Sequence, residues 1–152
     1  MVSRRDIGVA VCASVVTLAA AAGVQGKAPV MGSRIFDWAT MEAKPNKNGF
    51  VRTVVQEPTA TLDELEMHIT TLNVGASPHA PHQHPDEELI VIKEGQVESL
   101  VNGELKRVGP GSVIFQAANQ MHSIRNVGEG QAVYHVIKWN SPGMLKARQT
   151  QK

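Results

Sequence analysis

The feature that most constrains this chain is the run from Glu88 to Phe115, where short stretches rich in β-branched residues are cut off repeatedly by residues that form tight turns. Glu88 to Lys93 reads as one strand, Glu94-Gly95 stops it, and Val97 to Val101 follows. Asn102-Gly103 is the strongest short hairpin signal a sequence can carry, because a two-residue type I′ turn needs positive φ at both central positions. Leu105 to Val108 returns from that turn, and Gly109-Pro110-Gly111 reverses the chain again before Ser112 to Phe115. Upstream, Val51 to Val55 reads as a strand, as does Leu65 to Thr71. Downstream, Asn126 to Gly130 separates the strand that holds His122 from a last strand, Ala132 to Trp139. About eight short strands at such spacing predict an all-β sandwich or barrel.

Composition agrees and removes other classes. Hydrophobic residues make up 42% of the 152 and charged ones 19%, enough to bury a core. The balance of 15 Lys+Arg against 14 Asp+Glu gives no electrostatic case for nucleic acid as a partner. One domain over residues 32–140 is expected, followed by a polar tail, 141–152, that should fray.

The first 26 residues read as an export signal rather than as part of the fold. Arg4-Arg5 precedes an uncharged run from Ile7 to Val24, and Ala20-Ala21-Ala22 offers a small-residue cleavage site. The paired arginines fit a leader of the twin-arginine pathway, with an ordinary secretory signal or an uncleaved anchor as alternatives. The expected location is periplasmic or extracellular, with no stable membrane insertion after cleavage. Cys12, the only cysteine, lies in this segment, so the mature chain has no thiol for disulfides, zinc-thiolate sites or nucleophilic catalysis.

The chemistry concentrates in His82-Gln83-His84-Pro85-Asp86-Glu87-Glu88. Residues two apart on a strand point to one side, about 7 Å apart, so His82 and His84 can aim at one point. Glu88 shares parity with Ile90 and Ile92 and therefore faces in, where an unpaired carboxylate costs several kcal/mol unless a cation offsets it. His122, carried back across the barrel, can close the group. His82, His84, Glu88 and His122 are thus the expected ligands of a divalent transition metal, leaving two octahedral positions open for water, substrate or dioxygen.

Other polar residues are read more plainly. His79 is taken as a loop residue near the pocket mouth, and His68, which alternates with Met67 and Ile69, as solvent-facing. His135 shares parity with Val133, Ile137 and Trp139, so it is expected to point inward as a proton shuttle. Tyr134 and Arg125 are placed on the outer surface or at a dimer face, and Asn126 is expected to satisfy backbone at a turn.

With these residues in view, the chain resembles the cupins. Their first motif is matched by Gly75, His82, His84, Glu88 and Gly95, with one extra residue between Gly75 and His82. Their second is matched by Pro110-Gly111 and by His122 to Asn126, with Ala117 where a proline is usual. The resemblance spans about Ile35 to Trp139. It implies a double-stranded β-helix, the cupin jelly-roll barrel, with metal at the matched histidines and glutamate, and often a homodimer. It does not name a reaction. The leading expectation is an exported metalloenzyme with Mn or Fe, acting on a small-molecule substrate in an oxygenase-like way, with Glu88 and His135 as catalytic residues. Hydrolase and isomerase chemistry are the near alternatives, as is a non-catalytic cupin that binds a ligand or metal.

Overall fold

The computed structural model describes residues 29–149. The leader and Cys12 lie outside them, as do the last three residues. Nine strands are formed: β1 (Lys44–Asn46), β2 (Gly49–Glu57), β3 (Glu64–Leu72), β4 (Glu87–Glu94), β5 (Val97–Val101), β6 (Glu104–Val108), β7 (Val113–Gln116), β8 (Ser123–Asn126) and β9 (Ala132–Asn140). They pair antiparallel into a six-stranded sheet, β1-β2-β3-β9-β4-β7, and a three-stranded sheet, β6-β5-β8. This is the all-β jelly roll that the turn spacing predicts. Asn102 and Gly103 take φ of 52° and 80°, the conformation that the hairpin between β5 and β6 demands. At Gly95 (φ 80°) a Cβ would sit 2.7 Å from the Cα of Ala132, so the β4–β5 turn accepts only glycine.

The core is one apolar cluster between the sheets, including Leu72, Ile90, Ile92, Val97, Ile124 and Val136. Directly opposed residues on neighbouring strands share a face, so the pairing register sorts the inner surface into rows. Thr70, Tyr134 and Ile92 form one row, and His68, Val136, Ile90 and Ile114 the next. Glu66, Lys138, Glu88 and Gln116 form a third, which is wholly polar. The barrel is therefore greasy through its middle and hydrophilic at one end.

Three sequence expectations are corrected by this register. His68 is half-buried on the inner face and not turned to bulk solvent. Tyr134 is 2% exposed, a core residue and not an outer-surface one. His135 pairs with Ile69 and Val91 on the opposite face from Tyr134 and Val136, so it points away from the interior. The cause is common to all three. β3 and β9 lie in the middle of the large sheet and bury apolar residues on both faces, Ile69 and Val133 on one and Tyr134 and Val136 on the other, so alternation does not show which side is inward.

Residues Met144–Gln149 form a short helix, α1, and its Arg148 is paired with Asp86 in the loop before β4. At the other end, Trp38 lies in a short 3-10 turn between the cations of Arg52 and Lys93, 4.3 and 4.9 Å from its ring. Arg34 grips Glu57 through two hydrogen bonds of 2.9 and 2.7 Å.

Candidate metal centre

The loops before β4 and before β8 are joined at the histidines themselves. His82 and His122 form an antiparallel bridge, with main-chain hydrogen bonds of 3.0 and 2.9 Å in the two directions. Asn119, at φ 58°, adds a third staple by donating its N–H to the carbonyl of His84 at 2.7 Å. Behind them, fully buried Asn126 donates its side-chain amide to the carbonyls of Leu72, Asn73 and Gly130 and accepts from the N–H of Gly128. It satisfies backbone as expected, and at two separate segments, 72–73 and 128–130, rather than at one turn.

This scaffold brings three imidazoles together. His82, His84 and His122 each offer a nitrogen lying within 4.8 Å of the others. Glu88 stands beside them at 8% exposure, with its Oε2 3.5 Å from Nε2 of His84. The hydrogen bonds decide which ring atoms carry protons. Nδ1 of His84 meets the carbonyl of Asp86 at 3.1 Å, and Nδ1 of His122 meets that of Gln120 at 2.8 Å. A carbonyl only accepts, so both Nδ1 atoms donate, and in the neutral rings both Nε2 atoms present bare lone pairs. Nε2 of His84 then faces the Glu88 carboxylate, acceptor against acceptor, and Nε2 of His122 is buried without any hydrogen-bond partner. Buried acceptors left unsatisfied in this way are costly, and a divalent cation is the species that satisfies all of them together. The residues fit a metal.

Electrostatics favour the same state. Burial, with the neighbouring His79, His122, His84 and Lys138, holds the pKa of His82 down to about 4, so its ring is neutral and able to ligate at pH 7. His79 is exposed and contributes an edge-on ring contact to His82, with centroids 3.9 Å apart. This places it at the mouth, as expected.

The site opens into a chamber of about 100 Å³ whose far wall sequence reasoning missed. His68, Thr70, Tyr134 and Lys138 line it opposite the three histidines. Burial pushes the Tyr134 phenol up, a hydrogen bond with Thr70 opposes this, and the charge of Glu88 adds to the rise, so Tyr134 stays protonated. Lys138 is ion-paired to Glu66, which also accepts from Nδ1 of His68 at 2.8 Å. Once Glu88 is placed inside, its strand partner Lys138 must be inside too, but only the register between β4 and β9 reveals that pairing. His135 is absent from the chamber wall.

With this geometry established, comparison with known proteins is informative about fold. Residues 68–138 match the family model described as Cupin domain. The polyketide cyclase RemF from Streptomyces resistomycificus aligns with a TM-score of 0.58 at 22% identity, covering 74% of this chain and 82% of that one. A predicted oxalate decarboxylase from Thermotoga maritima aligns with a TM-score of 0.57 at 18% identity, covering 70% and 99%. An RmlC-like cupin from Shewanella frigidimarina does so with a TM-score of 0.57 at 15% identity, covering 72% and 94%. Comparison with curated proteins returns no match. The chain therefore has the fold of a cupin jelly roll, with three histidines positioned to hold a metal at its hydrophilic end.

Proposed function

We propose that this protein is an exported member of the cupin family and a metal-dependent enzyme acting on a small oxygenated organic molecule, with His82, His84, His122 and Glu88 as metal ligands. The observation that supports this most strongly is the meeting of three imidazoles within 4.8 Å, with Nε2 of His122 buried and unpartnered and the Glu88 carboxylate 3.5 Å from Nε2 of His84. The ion supplies a Lewis acid or a site for dioxygen, and Mn or Fe is favoured. Glu88 is placed to move a proton at its free oxygen. Tyr134 and Thr70, hydrogen-bonded to one another, offer their hydroxyls on the chamber wall, and Lys138 brings a positive charge to the same chamber. An oxygenase-like reaction is preferred to hydrolysis or isomerisation. The proposal includes a homodimer formed over edge strand β7, where Val113 and Phe115 are 61% and 48% exposed.

The test is metal analysis of untagged protein purified without chelator. The wild type should hold one Mn or Fe per chain and consume oxygen with a suitable substrate. His84→Ala and Glu88→Ala should each lower metal affinity on the order of tenfold or more. Equal metal content in all three proteins would remove the assignment.

A further inference from the structure

The chamber is too small to hold a typical ligand alone. Sites for small molecules commonly occupy about 300–1,000 Å³, and this one has about 100 Å³. Directly outside it is a cleft of about 480 Å³ that shares Pro78, His79 and Ser123 with the chamber wall. The two spaces are therefore neighbours, with Pro78, His79 and Ser123 standing between them.

The cleft is a held structure. Asn48 donates to the carbonyl of Pro78 at 3.0 Å, and Nε of Arg125 donates to that of Gly75 at 3.2 Å, so the loop carrying His79 is fastened on two sides. Lys47 and Arg125 bring positive charge to its wall, and neither has an acidic partner among the described residues. Because the Arg125 anchor uses Nε, the two terminal nitrogens remain free, and these form a fork suited to a carboxylate. The one acid on the wall, Glu98, is already engaged by Arg107 at 3.2 Å. The cleft thus carries a net positive charge that the near-neutral whole chain, at +1, does not reveal.

We infer that the ligand is an elongated organic acid: an oxygenated head enters the chamber past His79, and a carboxylate on its body is held outside by Lys47 and Arg125. This rests on the metal-centre reading for the head group. The carboxylate contact rests on the cleft alone.

The test uses full-length protein loaded with manganese and titrated calorimetrically. The probes are linear dicarboxylates of about four to eight carbons, each beside the monocarboxylate of equal length. At one chain length or more, the dicarboxylate should bind about tenfold tighter than its monocarboxylate. A Lys47→Ala variant, altered at an exposed side chain that does not anchor the loop, should reduce that difference several-fold and leave monocarboxylate affinity and manganese content unchanged. Dicarboxylates that bind no tighter than monocarboxylates at any length, or a preference unchanged in Lys47→Ala, would overturn the inference while the metal centre stands. Failure of the wild type to take up manganese or any other transition metal would instead overturn the metal-centre reading, and this inference with it.

Discussion

Arg148, near the end of the C-terminal helix, is ion-paired with Asp86, and the main-chain carbonyl of that same Asp86 holds Nδ1 of His84 at 3.1 Å. Helix α1 thus reaches the metal centre through one intermediary. Asp86 is 8% exposed, so the pair is shielded and its geometry is restrained. Arg148→Ala should weaken metal affinity several-fold by freeing the loop that orients His84, and Arg148→Lys should recover part of the loss. Competition against a chromophoric chelator measures this. An unchanged affinity in Arg148→Ala would mean that the helix has no influence on the ligand.

Asn126 is the residue whose loss should damage the fold most for its size. Its amide group serves three carbonyls and one N–H in a site with no solvent access. Asn126→Ala leaves several of these groups unsatisfied and should cost about 2–4 kcal/mol, read as a lower urea midpoint. Asn126→Asp should not rescue stability, because the side chain then accepts where it must donate.

Glu66 predicts the acid response of the metal-free protein. Burial alone would raise its pKa, but hydrogen bonds from His68 and Lys138, and their charge, bring it down from 4.5 to about 2. The stability it contributes is complete above about 4.5 and drains away as pH falls toward 2, because the unfolded chain takes up the proton first. After allowance for partial solvent access, the contribution is about 1–2 kcal/mol. Urea unfolding at pH 6 and pH 3 should show a smaller loss in Glu66→Gln than in the wild type. Identical losses would show that the Glu66–Lys138 pair does not contribute.

Phe115 tests the assembly. It is exposed on an edge strand of the large sheet, opposite Leu89. Sedimentation should give twice the chain mass for wild type and the single-chain mass for Phe115→Glu. A wild-type protein of single-chain mass would dismiss the dimer.

Much of this architecture is legible in the amino acids, and the illegible parts share a physical reason. Strands β4 to β7 announce themselves because local turn chemistry at Gly95, Asn102-Gly103 and Pro110-Gly111 sets their ends. The inward turn of Glu88 follows from its neighbours Ile90 and Ile92, whereas His82 and His84, expected to converge by strand parity, lie in the loop before β4 and are brought together by the bridge to His122 and the bond from Asn119. Orientation failed at β3 and β9, whose alternation is real but whose wet side, at Glu66, His68 and Lys138, faces an internal chamber instead of the outside. The docking of the tail was invisible because Arg148 and Asp86 are 62 residues apart, and no local pattern links them. Arg125 and Lys47 were unremarkable charges until folding set them on one cleft.

The main-chain rung between His82 and His122 has a kinetic consequence. Since the two rims are stitched by main-chain hydrogen bonds that involve no ion, uptake is the filling of a ready-made socket and not the drawing together of loose ends. Little chain entropy remains to be lost at that moment, so loading should be quick, and withdrawal of the ion should leave the rest of the barrel standing.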